Sequence, residues 1–76
     1  MSDEILIDAR GHRCPVPTLR LRRAAETASP GQLIRVAADD PMARIDIPHF
    51  AAQAGLTVLE TAIAGEVFSI LLQRPL

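Results

Sequence analysis

The chain has 76 residues, a formal net charge of −1 and an apolar fraction of 49%. This length accommodates one domain with a thin core, and the apolar fraction argues against disorder. No apolar stretch approaches the roughly 20 residues of a membrane-spanning helix, and the acidic start at residues 1–4 is unlike a signal peptide. The single cysteine, Cys14, cannot form an internal disulfide, so folding requires no oxidising compartment. We therefore expect a cytoplasmic protein with no membrane partner.

The basic residues are all arginines, and five of the eight fall between positions 10 and 23, around Cys14. As a group they predict a positive neighbourhood for the thiol. They are too few, and Phe50 and Phe68 supply too little aromatic surface, to indicate a nucleic-acid interface. We expect no direct nucleic-acid partner.

The first half of the chain predicts a strand, a helix and a second strand. Ile5-Leu6-Ile7 is a short apolar run typical of a buried strand, and Gly11 permits a tight turn after it. Pro17 is typical of the first residue of a helix, and Pro30-Gly31 ends that helix. Residues 33–38 predict the second strand. The helix should turn an apolar stripe inward: Pro17, Leu21, Ala24, Ala25 and Ala28.

The second half predicts a helix followed by a hairpin. Asp40-Pro41 is typical of a helix start, Pro48 predicts a break or restart, and Gly55 predicts the end. Residues 57–63 and 67–73 predict two strands, joined by a turn with Gly65 at the special dihedral. Because the last strand is nearly all apolar, we expect it to be central.

The predicted order is β-α-β-α-β-β. This order indicates an α+β two-layer sandwich, with a four-stranded mixed sheet and both helices on one face. The whole chain, residues 1–76, forms one domain in this interpretation. The patterns leave the strand order open.

Cys14 lies in Cys14-Pro15-Val16-Pro17, between the first strand and the first helix. The prolines fix their own φ angles, and Pro17 disfavours helical geometry at Val16, so we expect the cysteine to project from a stiff loop. Unpaired N–H groups at a helix start stabilise an anion, and here they would belong to residues 18–20. Arg10 and Arg13 add positive charge. The pattern favours an exposed, reactive thiol over a buried structural cysteine.

The composition excludes several kinds of thiol chemistry. Zinc needs three or four ligands, which Cys14, His12 and His49 do not supply at useful spacing, so we expect no metal. A thioredoxin-type oxidoreductase needs a second cysteine. His12 as a general base stays open beside an ordinary turn histidine. What remains is a thiol that accepts a group, holds it and passes it on.

A set of ordered motifs resembles the TusA/SirA-type small sulfur carriers and covers essentially the whole chain. The defining motif is Asp8-x-x-Gly11-x-x-Cys14-Pro15-x-Pro17. The likeness continues through Arg22-Arg23, Pro30-Gly31, Asp39-Asp40-Pro41 and Asp46-Ile47-Pro48. The resemblance implies the same two-layer fold, so it agrees with the element order above.

The resemblance also implies a function and roles for residues. Cys14 would accept a sulfane sulfur as a persulfide from a cysteine desulfurase or rhodanese-like donor and pass it to an acceptor protein. The pathway could be tRNA thiolation, cofactor sulfuration or sulfur oxidation. Such a sulfurtransferase needs no cofactor. Its visits to several partners favour a monomer in transient complexes, while the thin core leaves a weak dimer open. Asp8 and Gly11 would shape the loop, with Pro15 and Pro17 as its rigid frame.

We further hypothesise that a docking face surrounds Cys14, formed by Arg13, Leu19, Arg22 and Arg23. Its charge would steer encounter with acidic partners, and Leu19 would be an apolar anchor. The simpler interpretation of Arg22 is an i,i+4 ion pair with Glu26. Two other functions stay open: a non-catalytic adaptor that uses the same face, and a redox sensor based on the single thiol.

Overall fold

The structure, a computed structural model, describes residues 4–13 and 15–76. Cys14, to which the sequence assigns the reactive thiol, therefore lies outside the described residues. Six elements follow in the predicted order: β1 (Ile5–Asp8), α1 (Val16–Thr27), β2 (Leu33–Ala38), α2 (Ala43–Ala54), β3 (Thr57–Ala64) and β4 (Val67–Gln73). The predicted α+β class with a four-stranded mixed sheet is confirmed.

The strands lie in the order β1-β2-β4-β3. β1 pairs with β2 in parallel, whereas β4 is antiparallel to both β2 and β3. The prediction that the last strand is central is thus confirmed. Because β4 is inserted between β2 and β3, the edges of the sheet are β1 and β3.

The core lies between one face of the sheet and the two helices. Burial alternates along β2, where Ile34, Val36 and Ala38 are buried and the residues between them are half-buried. Leu21 of α1 and Ile47 of α2 are fully buried against this face. α1 lies over β1 and β2, and α2 lies over β4 and β3. No helix in the described part of the chain is long and apolar enough to cross a lipid bilayer.

α2 continues through Pro48, which corrects the prediction of a break at this residue. Proline lacks an N–H group, so one bond to the carbonyl of Arg44 is missing. Ala43, Ile47 and Ala51 are all buried, on either side of the proline. We infer that burial of this stripe outweighs the lost bond. The helix ends as predicted at Gly55, with φ at 75°.

Candidate functional site

The loop after β1 continues the sheet for one residue and then turns. The Ala9 N–H donates to the carbonyl of Ala37 at 2.8 Å, which extends the pairing of β1 with β2. The His12 N–H donates to the carbonyl of Ala9 at 3.3 Å, so the loop closes on itself. Gly11 has φ at 81° within this turn. That angle favours glycine, because a β-carbon strains the left-handed region.

Asp39 ties this loop to the end of β2. Its two carboxylate oxygens accept the N–H of Gly11 at 2.9 and 3.1 Å. Asp39 directly follows β2, and its half-buried position places the carboxylate beside the turn. Asp39 belongs to the Asp39-Asp40-Pro41 motif, for which the sequence predicted no role in the loop. The missed signal was an acidic residue at the end of the strand that neighbours the loop.

Asp8 fixes the other side of the loop through two arginines. The side chain of Arg10 donates to both carboxylate oxygens of Asp8, at 2.8 and 2.9 Å, and the Arg10 N–H donates at 3.2 Å. The hydrogen bonds from the Arg10 side chain, then that from its backbone, hold the pKa of Asp8 far below its ordinary value. Arg20 of α1 donates from Nη1 to the carbonyl of Asp8 at 2.7 Å, a contact that sequence analysis did not predict.

These contacts lower the net positive charge that the sequence predicted for the loop before Cys14. Arg10 was predicted to add positive charge, and the carboxylate of Asp8 offsets it. The pKa of Arg10 is raised by the same pair, so the guanidinium stays charged while the local net charge falls. The side chain of Arg10 therefore holds the loop through Asp8 and adds little net positive charge to it.

The segment that follows Cys14 in the sequence is the start of α1. The Val16 N–H donates to the carbonyl of Arg13 at 2.9 Å, and the Leu19 N–H donates to the carbonyl of Pro15 at 2.9 Å. α1 consequently begins at Val16, one residue before the predicted start, and Val16 is helical despite the proline that follows. Pro17 remains in the first turn, where no N–H is needed. Because Leu19 uses its N–H for Pro15, it is not one of the predicted free donors.

Arg22 lies toward the second helix. Its guanidinium carbon is 5.5 Å from the ring centroid of Phe50. No ion pair joins it to Glu26 among the described residues, so the simpler interpretation of Arg22 is wrong. Arg22 and Phe50 line a groove of about 550 Å³ between α1, α2 and the last residues of the chain.

Three of the predicted docking residues are exposed: Arg13 in the loop before α1, and Leu19 and Arg23 on α1 itself. Leu19 has 51% of its surface exposed, which is high for a leucine in a helix. Within residues 4–13 and 15–76, the side chains of Arg13 and Arg23 take part in no ion pair. Of the predicted docking residues, these three are available to a partner.

A small cleft opens beside the loop. It has a volume of about 280 Å³ and is lined by the loop and by the chain between β2 and α2. His12 and Arg13 lie on one side, and Asp39, Asp40 and Pro41 lie on the other. The cleft can hold a small polar group or part of a partner chain. Among the described residues, no three His, Cys, Asp or Glu side chains cluster closely enough to hold a metal ion.

Comparison with known proteins agrees with this geometry. The sequence model of the family described as "Sulfurtransferase TusA" matches residues 5–74. The chain is 35% identical to the sulfur carrier protein TusA of Allochromatium vinosum over 68 residues, which are 90% of each chain. It is 37% identical to a putative sulfur carrier protein of Thermotoga maritima, covering 78% of this chain and 75% of the relative.

A solved structure shows the same fold. The crystal structure of the SirA-like protein from Desulfitobacterium hafniense superposes with a TM-score of 0.81 at 27% sequence identity. The match covers 95% of this chain and 99% of that one. The family match over residues 5–74 includes the loop after β1 and all four strands of the sheet. The chain therefore belongs to the TusA sulfurtransferase family.

Proposed function

We propose that this protein is a sulfur carrier that holds sulfane sulfur as a persulfide on Cys14. The observation that carries the proposal is the family match over residues 5–74, together with relatives that are named sulfur carriers. The donor would be a cysteine desulfurase or a rhodanese-like protein, and the acceptor a further protein of a relay. We expect this exchange to take place in the cytoplasm.

The reaction requires one nucleophilic sulfur and no redox partner. The Cys14 thiolate attacks the terminal sulfur of the donor persulfide, R–S–SH, and forms a new S–S bond to it. The donor S–S bond breaks, and R–S⁻ leaves as a thiolate. Cys14 then carries –S–SH, and the same exchange in the opposite sense loads the acceptor. Electrons and protons balance without a cofactor.

The segments before and after Cys14 in the sequence support this role, because hydrogen bonds hold each of them in place. On one side, Gly11 is bonded to Asp39 and Asp8 to Arg10 and Arg20. On the other side, Pro15 accepts the first bond of α1 from Leu19. Segments that are already fixed lose little conformational freedom when a partner binds beside them. In this proposal Asp8, Gly11, Pro15 and Pro17 maintain that frame.

The docking surface, in this proposal, consists of Arg13, Leu19 and Arg23. Both arginines lack an ion pair among the described residues, so they are free to attract an acidic partner. Leu19 adds an exposed apolar contact in the first turns of α1. Arg22, which the sequence grouped with them, lies over Phe50 and would act at the margin of this surface.

The deciding experiment is intact-mass analysis after incubation with a cysteine desulfurase and cysteine. We expect the protein to gain one sulfur, about 32 Da, and the Cys14→Ser variant to gain none. A reductant should remove the added mass. If no added sulfur is detected with either a desulfurase or a rhodanese as donor, the carrier proposal is wrong. That result would favour a non-catalytic adaptor that uses the same face. Added oxygen in place of sulfur would indicate a redox sensor.

The same assay tests the docking surface. Arg13→Glu with Arg23→Glu should lower the rate of sulfur loading roughly tenfold at low salt, because steering charge is reversed. Arg44→Glu is the control for each single reversal, Arg13→Glu or Arg23→Glu, since Arg44 is an exposed arginine on α2 and each change lowers the net charge equally. Equal rates for all variants would contradict the docking surface and leave the carrier proposal intact.

A further inference from the structure

β3 is an unusually bare edge of the sheet. It pairs with β4 on one side, and no other strand of the described chain pairs with its opposite side. All eight of its residues, Thr57–Ala64, are exposed, whereas its neighbour β4 contains four buried residues. The outward N–H and C=O groups of β3 are therefore free to pair with another extended chain.

Five of the eight side chains of β3 are apolar, two are threonines and one is charged. Val58, Leu59 and Ile63 expose 44%, 48% and 60% of their surface. The one ionisable residue is Glu60, whose carboxylate lies 3.8 Å from Nη1 of Arg35. In the sheet register Glu60 is opposite Leu71 of β4, and Leu71 is opposite Arg35 of β2. The pair thus bridges Leu71 on the helix-free face, so the charge of Glu60 is directed inward from the edge.

The common protections of an edge strand are nearly all missing here. β3 contains no lysine and no proline, and it is longer than the average strand. Two protective features are present: a bulge between Val58 and Glu60, and the single charge of Glu60, which is directed toward Arg35. From Glu60 to Ala64 the strand is regular, which leaves about 17 Å of edge available for pairing.

The apolar surface continues onto α2. Val58, Thr61 and Ile63 pair with residues of β4 that face the helices, so they lie on the same side of the sheet as α2. At 100° per residue, Pro48 and Ala52 lie on the side of α2 away from Phe50, and Phe50 contacts α1 through Arg22. The same side of α2 also carries the exposed Arg44, one turn before Pro48, so one charge interrupts this apolar surface.

We propose that β3 pairs antiparallel with β3 of a second copy of this chain, forming a weak dimer with a continuous eight-stranded sheet. A two-fold axis perpendicular to the sheet keeps the helices of both copies on one face. With the axis at Ala62, Thr61 of each copy lies opposite Ile63 of the other, and Glu60 lies opposite Ala64. No like charges meet in this register. An axis at Glu60 would oppose two carboxylates and is disfavoured.

A second copy fits this edge better than a charged peptide does. The one charge of β3, on Glu60, is directed toward Arg35 of the same sheet, and in the register centred on Ala62 a second copy places the neutral Ala64 opposite it. Five paired residues span only about 17 Å of strand, so the interface is small. The dimer should therefore dissociate at low concentration, and it corresponds to the weak dimer that the sequence leaves open beside a monomer.

The dimer would leave the candidate site free. The loop with Gly11 follows β1, at the opposite edge of the sheet from β3. The proposal consequently does not depend on the sulfur-carrier function, and each can fail without the other.

Sedimentation velocity of the protein itself tests the dimer. The average mass should rise from one chain toward two between about 10 µM and about 1 mM. Ile63→Lys should remain a single chain over this range, because a charge is placed in the paired edge. Leu6→Lys is the matched control, since Leu6 is 72% exposed on the other edge strand, β1, and this variant should behave as the unaltered protein does.

NMR spectra over the same concentrations locate the interface. Amide signals of residues 57–64 should shift, and those of residues 5–8 should not. Far-UV circular dichroism checks that both lysine variants are folded. A single chain at 1 mM, unaltered association of Ile63→Lys, or loss of association in Leu6→Lys alone would each overturn the proposal.

Discussion

The two edge strands of the sheet differ in length, in exposure and in the charge around them. β1 is four residues long and leads into a loop held by the Asp8–Arg10 pair and by Asp39. β3 is eight residues long, fully exposed and nearly neutral. The comparison teaches that charge and tight hydrogen bonding are concentrated at the edge with the candidate site, where a fixed loop is needed. The other edge retains the pairing capacity that a sheet offers by default.

The largest expected effect is a difference in the free energy of unfolding between two isoleucine variants, one on each edge strand. Ile7 of β1 is 6% exposed and Ile63 of β3 is 60% exposed, although both face the helical layer. Ile7→Ala should lower the free energy of unfolding by about 2–5 kcal/mol, because it leaves a cavity. Ile63→Ala should change it by no more than about 0.5 kcal/mol. Urea unfolding at low protein concentration measures both values. Equal losses would show that the two edges contribute alike to folding.

An intermediate effect is expected where the loop is tied to β2. Asp39→Ala removes both acceptors of the Gly11 N–H and should cost about 1 kcal/mol, with faster hydrogen exchange at that amide. Asp39→Asn retains one oxygen acceptor in nearly the same shape, so it should preserve most of the protection. Exchange of the Gly11 amide, followed by NMR, distinguishes the variants. Identical exchange rates in Asp39→Ala and the unaltered protein would mean that this bond does not hold the loop.

The smallest effect concerns the titration of Asp8. Its ordinary pKa is 3.8, and the Arg10 hydrogen bonds should keep it ionised well below that pH. Since the folded-state pKa is lowered, the stabilising contact is present above pH 3.8 and is lost only as pH falls through the lowered value. Carboxyl chemical shifts followed by NMR report this pKa. Arg10→Ala should return it toward 3.8, and Arg23→Ala should leave it low. A midpoint near 3.8 in the unaltered protein would contradict the pairing at this edge.

Local sequence patterns predicted most of the fold because they depend on neighbouring residues. The bounds of β2 and β4 agree with the apolar runs, and Pro17, Leu21 and Ala25 are buried as the stripe predicted. The errors in the helices occurred at or near prolines. α2 begins at Ala43, two residues after the predicted start at Pro41. α1 begins at Val16 and α2 passes through Pro48, because helix bonding and burial outweigh the local preference of the backbone.

The site was predicted in part for the same reason. The motif identified the segment from Asp8 to Pro17, and the family match includes all of it. It did not reveal Asp39 or Arg20 as partners of the loop, nor the position of Arg22 over Phe50. Each of these contacts joins residues from different elements, and spacing along a chain carries no information on such pairs.

The sequence by itself determined the elements, the fold class and the family, because hydrophobic periodicity, turn residues and motif order are written in adjacent positions. Tertiary structure decided the strand order, and with it which strand was left as a bare edge. It also brought the carboxylate of Asp39 to the Gly11 N–H across 28 residues of chain. The physical reason is that pairing across the sheet depends on the packing of both helices against it, a property of the whole chain.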